Sequence, residues 1–239
     1  MAEMKKNHIK MFADGADLQE MVREYKKGVV QGFTTNPTLM KKAGVKNYEE
    51  FAHAALKEIQ DLPISFEVFS DDFTEMEREA RKVARWGNNV YIKIPITNTR
   101  RESSLPLIRK LSHDGLKINV TAILTYDQVK GAFDALSSST PAIISVFAGR
   151  IADTGVDPIP IMKQSSQLLR SKPNIELLWA SSRELLNIFQ AEECGCQIIT
   201  ITNDILKKLT LVGRGLDDLS LDTVKMFYDD AHSSSYTIL

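Results

Sequence analysis

Short runs of apolar, mostly β-branched residues alternate along the chain with longer stretches in which apolar residues recur every three or four positions. After the first run, Leu18, Met21, Val22 and Tyr25 follow the i, i+3, i+4, i+7 spacing of one helix face. The same unit of strand and helix then repeats to the end of the chain. The predicted strands span residues 9–13, 29–34, 64–69, 90–94, 118–122, 142–147, 176–180 and 197–201.

Strands that alternate with helices pair in parallel through right-handed crossovers, and eight such units close a (β/α)8 barrel. We therefore predict a TIM barrel that forms a single domain over residues 1–239. A further amphipathic stretch at residues 221–231 predicts an additional C-terminal helix, followed by a polar tail to residue 239. The alternative fold is an open doubly wound sheet. Its usual nucleotide ligands require a G-x-G-x-x-G or P-loop motif, and the sequence contains neither.

Composition narrows the possible partners. The 239 residues include 30 Lys and Arg against 31 Asp and Glu, a net charge of -1, which argues against nucleic-acid binding. No apolar run approaches the roughly 20 residues of a membrane span, so we expect no membrane partner. The polar start lacks the apolar core of a signal peptide. Only Cys194 and Cys196 are present, which favours a reduced cytoplasmic location and offers no metal ligand set.

Lys93 is the most distinctive candidate for chemistry. It interrupts a run of strand residues, and alternation places it on the face opposite Ile92 and Ile94. If these two isoleucines face the helices, Lys93 points into the barrel. A lysine held away from water has a lowered pKa, and its neutral amine attacks carbonyls. The alternative is an edge lysine, or one that only pairs with Glu67 or Asp14.

Two carboxylates and one hydroxyl follow or end other strands. Asp14 and Glu67 would supply the proton transfers that Schiff-base chemistry requires, and Thr121 could hold a water against Glu67. Asp14 could instead cap the next helix, and Glu67 could simply neutralise Lys93. A lone threonine in a strand is most often an ordinary β-branched residue.

Arg150, Ser181 and Arg183 follow two neighbouring late strands. Two guanidinium groups and a hydroxyl there could bind a phosphate, and late loops of barrel enzymes often do so. The alternative is that both arginines form solvated surface ion pairs.

These positions together match a known pattern. The chain resembles the transaldolase family, and in particular its short members, which include the fructose-6-phosphate aldolases. The resemblance covers essentially the whole chain and rests on the shared order and spacing of motifs at successive strands. The motifs are Asp14, residues 34–38 (TTNPT), 91–95 (YIKIP), 119–121 (NVT), 145–153 (SVFAGRIAD) and 180–183 (ASSR).

The resemblance implies a role for each matching position, with no cofactor and no metal. Lys93 would form the Schiff base, and Asp14 would be the general acid and base toward the substrate hydroxyl. Glu67 and Thr121 would hold the water that is exchanged when the carbinolamine dehydrates. Asn36, Asn119 and Ser145 would bind the dihydroxyacetone portion. The other substrate-binding positions are Thr35, Phe147 and the phosphate ligands Arg150, Ser181 and Arg183.

Two positions separate transferase from lyase. Transaldolases resemble this chain in having Glu at position 67 and Phe at 147, whereas fructose-6-phosphate aldolases have Gln and Tyr there. A Tyr hydroxyl helps to protonate the enamine, and Phe147 cannot do so. We therefore predict a transaldolase that moves a dihydroxyacetone unit from a ketose phosphate, such as sedoheptulose 7-phosphate or fructose 6-phosphate, to an aldose phosphate. The alternatives are an aldolase that releases free dihydroxyacetone or acts on another phosphosugar, and a barrel that only binds sugar phosphates.

The resemblance also implies carbohydrate metabolism in the pentose phosphate pathway and a homo-oligomer of five or ten subunits. In the short members, the C-terminal segment, here residues 221–239, clasps a neighbouring subunit. Val224, Met226 and Phe227 would supply the apolar side of that contact. The alternative is a helix that packs on its own barrel.

Overall fold

In the computed structural model, which describes residues 9–234 and 236–238, eight parallel strands close into a barrel. β1 pairs with β8 as well as with β2, so that the ring has no open edge. This arrangement confirms the predicted TIM barrel. The strands are β1 (Lys10–Asp14), β2 (Gly32–Thr34), β3 (Ile64–Glu67), β4 (Val90–Pro95), β5 (Ile118–Ile123), β6 (Ala142–Val146), β7 (Ile175–Trp179) and β8 (Ile198–Thr202).

Helices surround the barrel and connect its strands. They are α1 (Leu18–Lys27), α2 (Pro37–Lys42), α3 (Tyr48–Glu58), α4 (Phe73–Val83), α5 (Leu105–His113), α6 (Tyr126–Ala135), α7 (Ala148–Ala152), α8 (Ile159–Leu169), α9 (Leu186–Glu193), α10 (Asn203–Lys207) and α11 (Leu216–Ser233). A 3₁₀ turn, Lys208–Leu211, precedes α11. The last helix begins five residues before the predicted start at 221. Asp217 and Asp218 lie in its first turn, where acidic side chains stabilise a helix N-terminus.

The two faces of each strand pack against different groups of residues. Ile92 and Ile94 of β4 belong to the large core between the sheet and the helices. Tyr91, Phe12 and Ile143 belong to a smaller apolar cluster within the barrel. Lys93 shares the inward face with Tyr91 and lies nearer the C-terminal end of the strand. The alternation that the sequence predicts for β4 is therefore present.

Phe12 closes the barrel below its polar upper layer. The ring occupies space that a side chain on β2 would otherwise fill, because a Cβ on Gly32 would lie 2.5 Å from Phe12 Cζ. A glycine at position 32 therefore makes room for the Phe12 ring, which forms the floor of the polar upper layer. The floor separates the polar residues at the C-terminal ends of the strands from the opposite end of the barrel.

Helix α11 lies at the surface along its whole length, and none of its residues is buried. Val224 is 60% exposed and Phe227 is 64% exposed. A helix with these side chains in water does not pack on its own barrel in the way that α1 or α3 does. Over residues 9–234 and 236–238, no helix is both long enough and apolar enough to cross a bilayer.

Candidate active site

A polar cavity opens at the C-terminal ends of the strands, where TIM-barrel enzymes carry their active sites. Its volume is about 100 Å³. Eight of the predicted site residues line it: Asp14, Asn36, Lys93, Thr121, Ser145, Phe147, Arg150 and Ser181. The side chains of Thr35, Glu67, Asn119 and Arg183 lie next to this cavity or behind it rather than in its wall.

Lys93 is only 6% exposed, and its partners come from β3 and from the turn after β2. Its Nζ donates a hydrogen bond of 2.9 Å to the backbone carbonyl oxygen of Thr35. Glu67 Oε2 lies 3.2 Å from the same nitrogen, because Glu67 and Lys93 are paired in the register of β3 and β4. The amine is thus buried, paired and at the cavity wall, so both the pairing with Glu67 and the inward orientation are observed.

Thr35 reaches Lys93 through its main chain. Its hydroxyl donates instead to the backbone carbonyl of Ser65 at 2.9 Å and is fully buried. Sequence reasoning named the residue, but the contribution that the structure gives it is the carbonyl oxygen.

Asp14 ends β1 and points into the cavity. Burial raises the pKa of Asp14, while the positive charge of Lys93 and the hydrogen bond that Thr34 Oγ1 donates at 2.7 Å oppose this rise. The helix-cap alternative does not apply, because Asp17 caps α1 by accepting from the backbone N–H of Glu20. The Asp14 carboxyl therefore stays available, with a pKa moved toward the range of a general acid and base.

Asn119 on β5, Ser145 on β6 and Ser65 on β3 form a buried chain of hydrogen bonds across the inside of the barrel. Ser145 Oγ donates to Asn119 Oδ1 at 2.7 Å, and Asn119 Nδ2 donates to Ser65 Oγ at 3.0 Å. Since the Ser145 proton is engaged, its oxygen presents only lone pairs to the cavity. Ser145 is therefore set to accept a hydrogen bond from a ligand hydroxyl.

Thr121 has a buried hydroxyl that bonds to no other group in the described part of the chain. The pairing of β5 with β6 is irregular here, and Ala122 adopts φ 60°, a conformation in which the strand bends. Leaving a buried hydroxyl without a partner is unfavourable. Thr121 is consequently suited to hold a water or a substrate oxygen at the cavity wall.

Asn36 lies between β2 and α2, and one atom of its side-chain amide is hydrogen-bonded to the helix while the other is free among the described residues. Its Oδ1 accepts from the backbone N–H of Leu39 at 2.9 Å, which caps α2, and Pro37 occupies the first helical turn. This bond fixes the orientation of the amide. The Nδ2 group is left as a hydrogen-bond donor at the cavity wall.

The three predicted phosphate ligands occupy two adjacent turns, after β6 and after β7. Arg150 lies on α7 and lines the cavity, with its Cζ 5.8 Å from the ring centroid of Phe147. Arg183 is half-exposed and forms a two-point ion pair with Asp153, in which Nε lies 3.0 Å from Oδ1. Part of the surface ion-pair alternative is thus observed for Arg183, while Arg150 faces the cavity.

The comparisons with known proteins agree with this geometry. The family model described as Transaldolase/Fructose-6-phosphate aldolase matches residues 11–238. The chain belongs to this family. A "Probable transaldolase 2" of Listeria monocytogenes is 35% identical over 221 residues, which are 90% of this chain and 95% of that protein. A "Probable transaldolase" of Streptococcus agalactiae is 33% identical over 218 residues, which are 90% of this chain and 97% of that protein.

As a member of the transaldolase and fructose-6-phosphate aldolase family, the protein is an enzyme of the transaldolase and aldolase type. A solved structure of 2,3-dimethylmalate lyase superposes with a TM-score of 0.58 and 14% identity, over 92% of this chain and 85% of that one. At this identity the similarity concerns the barrel fold alone.

Sequence reasoning missed the hydroxyl groups of Thr34, Ser65 and Thr200. All three lie on inward positions of strands, and two of them, Thr34 and Thr200, line the cavity. The alternation that identified Lys93 applies equally to β2, β3 and β8, so it could have found them. Within the described residues, no group of three or more His, Cys, Asp or Glu side chains is placed to hold a metal ion.

Gly149 allows the turns after β6 and β7 to meet. A Cβ on Gly149 would lie 1.6 Å from the backbone oxygen of Ser181 and 3.3 Å from Arg183 Nε. Ser181 itself has φ 64°, an uncommon conformation for a residue with a side chain. The turn after β7 therefore keeps its shape only because the first turn of α7 carries no side chain at this point.

We expect Gly149→Ala to displace Ser181 and Arg183, to weaken binding of inorganic phosphate at least about tenfold, and to destabilise the fold by about 1–3 kcal/mol. Titration calorimetry with phosphate and urea denaturation measure the two effects. Gly15→Ala is the matched control, because a Cβ there would have no neighbour within 4 Å. Unchanged phosphate affinity in Gly149→Ala would contradict this account of the two turns.

Proposed function

We propose that the protein is a transaldolase that transfers a dihydroxyacetone unit from a ketose phosphate to an aldose phosphate through a Schiff base on Lys93. The observation that carries this proposal is the buried Lys93 amine at the wall of the cavity, 3.2 Å from the Glu67 carboxylate. A carboxylate beside the amine supplies the proton transfers that imine formation requires.

The first half of the proposed reaction forms the imine. The neutral Lys93 amine adds to the C2 carbonyl of the ketose, and the carbonyl oxygen takes up a proton to give a carbinolamine. Loss of that oxygen as water then leaves a protonated imine. The free hydroxyl of Thr121 and the Glu67 carboxylate are the groups that would hold this water and move its proton.

The second half breaks the bond between C3 and C4. The Asp14 carboxylate takes the proton of the C4 hydroxyl, the C4 oxygen becomes an aldehyde, and the bonding electrons move into the imine to give an enamine. The shortened aldose phosphate leaves and an acceptor aldose phosphate enters. The enamine then adds to its aldehyde carbon, Asp14 returns the proton, and hydrolysis of the new imine releases the product.

Three further features support sugar phosphates as substrates. Ser145 and Asn36 offer an acceptor and a donor toward the hydroxyl groups of a dihydroxyacetone unit. Arg150 and Ser181 lie at the cavity wall, and Arg183 follows in the same turn as Ser181. Guanidinium groups bind phosphate through paired hydrogen bonds.

Phe147 at the cavity wall supports the proposal that the three-carbon unit is transferred rather than released. A phenyl ring neither donates nor accepts a proton, and so it does not help to protonate the enamine. The enamine then persists until an acceptor aldehyde arrives. We also propose a role in the pentose phosphate pathway and a cytoplasmic location, and the two free cysteines support the location alone.

Borohydride reduction tests the Schiff base. With fructose 6-phosphate, we expect one reduced adduct at Lys93, found by peptide mass spectrometry, and no adduct in Lys93→Met. Lys10→Met is the matched control, since Lys10 pairs with Glu176 at the opposite end of the barrel and should leave labelling unchanged. Sugar phosphate binding without any adduct would favour a barrel that only binds its ligand.

The partition between transfer and release tests the role of Phe147. With fructose 6-phosphate alone, we expect little glyceraldehyde 3-phosphate, and its release should rise about tenfold or more when erythrose 4-phosphate is added. Phe147→Tyr should increase the cleavage that needs no acceptor, because its hydroxyl can donate a proton. Phe147→Leu is the control without a hydroxyl. Equal partitioning in all three proteins would reject the argument.

We further propose that the C-terminal segment, residues 221–239, packs on a neighbouring subunit in a homo-oligomer of five or ten chains. This segment contains most of α11. The exposed apolar side chains of α11 support this arrangement. Residues 235 and 239 lie outside the described part of the chain.

Light scattering tests the assembly. Replacing Val224 and Phe227 with glutamate should give smaller particles, because charged side chains oppose burial of this helix face. Lys225→Glu is the matched control for added negative charge on the same helix, and it should leave the assembly intact. A monomeric wild-type protein would refute the proposal.

A further inference from the structure

Two threonines form a short chain of hydrogen bonds behind Asp14. Thr34 Oγ1 on β2 donates to Asp14 Oδ1 at 2.7 Å. Thr200 Oγ1 on β8 lies 2.5 Å from the same Thr34 oxygen. Both threonines are buried, with exposed fractions of 2% and 5%. The three residues belong to β8, β1 and β2, which are adjacent strands in the closed barrel.

Counting protons fixes the direction of this chain. A hydroxyl has one proton to donate, and Thr34 donates it to the Asp14 carboxylate. The bond between the two threonines must then be donated by Thr200. The order is therefore Thr200 to Thr34 to Asp14 Oδ1 whenever Asp14 is ionised. Among the described residues, no hydrogen-bond donor reaches the other oxygen, Asp14 Oδ2.

We propose that Thr200 is a positioning residue that acts through Thr34 to reserve Asp14 Oδ2 as the oxygen that exchanges a proton with the substrate hydroxyl. The inference rests on the proposed function, because it assigns Asp14 the proton transfer of carbon–carbon bond cleavage. Thr34 alone could rotate and accept a proton from a protonated Oδ1. With Thr200 donating to it, Thr34 keeps its own proton directed at Oδ1, and the incoming proton goes to Oδ2.

Other contacts hold Thr200 in place and define the charges around Asp14. Ser182 Oγ donates to the backbone carbonyl of Thr200 at 2.9 Å, so the turn after β7 supports the end of β8. The charged groups that face Asp14 within the barrel and from the recess on its other side are Lys93, Glu67, Arg150, Asp17, Glu20, Lys42 and Asp204. None of these is altered by a substitution at Thr200.

Thr200→Val keeps the shape of the side chain and removes the donor. The Thr34 oxygen then lacks its donor, and it is satisfied when a protonated Asp14 donates from Oδ1. This arrangement favours the protonated form of Asp14 and places its proton on the wrong oxygen. Both effects slow cleavage of the carbon–carbon bond, and neither changes the contacts of the Lys93 amine.

The experiment compares imine formation with bond cleavage in the full-length protein. For Thr200→Val we expect kcat to fall about five- to tenfold. The acid limb of its pH profile should move upward by about half to one pH unit. Borohydride labelling of Lys93 by fructose 6-phosphate should stay at the wild-type level. Thr34→Val should shift the limb further in the same direction, and Thr200→Ser should restore both the rate and the limb.

Thr140→Val is the matched control, because it removes a buried threonine hydroxyl that donates to the Ser112 carbonyl outside the cavity. It should leave the acid limb where it is. A wild-type pH profile in Thr200→Val, or a loss of rate that Thr200→Ser does not restore, would overturn the inference. Absence of labelling in the wild-type protein would instead refute the proposed function. In that case, carbon-13 NMR titration of Asp14 in the same variants still tests the chain of hydrogen bonds.

Discussion

A lysine amine held inside a barrel has to be neutral or be compensated by nearby polar groups, and most of the upper barrel is arranged around this need. Lys93 has a carboxylate from β3 and a carbonyl oxygen from the turn after β2 within hydrogen-bond distance. These partners are adjacent only because the strands run in parallel and in the observed register. Below them, Phe12 fills the barrel and separates the site from the opposite end. The barrel fold and the register of its strands therefore both determine the surroundings of the Lys93 Nζ atom.

The part of this arrangement that follows from local periodicity could be predicted from the sequence. Alternation along β4 places Lys93 opposite Ile92 and Ile94, and eight repeated units are the number that closes a barrel. The same local pattern located Asp14, Thr121 and Ser145 on inward or terminal positions. The predicted start of α11 at residue 221 was five residues too late, since Asp217 and Asp218 stabilise a first turn that begins at Leu216.

Contacts that depend on closure of the barrel could not be predicted in the same way. Thr34 and Thr200 are 166 residues apart, and they meet because β1 pairs with β8 on one side and with β2 on the other. The carbonyl of Thr35 carries no signal in the sequence, since every residue has one. Pairing of Arg183 with Asp153 depends on two turns that approach each other at a glycine.

The ion pair between Arg183 and Asp153 also affects how the proposed phosphate site, formed by the turns after β6 and β7, would work. Asp153 neutralises much of the Arg183 charge, and the pKa of Asp153 is lowered chiefly by its hydrogen bonds from Arg183. Arg150 faces the cavity and forms no ion pair among the described residues, although Asp153 also attracts it electrostatically, so in the proposed site it would offer the more available charge to a phosphate. An exposed ion pair contributes little stability, and a bound phosphate could therefore draw Arg183 away from Asp153 at small cost. A phosphate that does so would gain a second guanidinium, and its affinity would then depend on how firmly Asp153 holds Arg183.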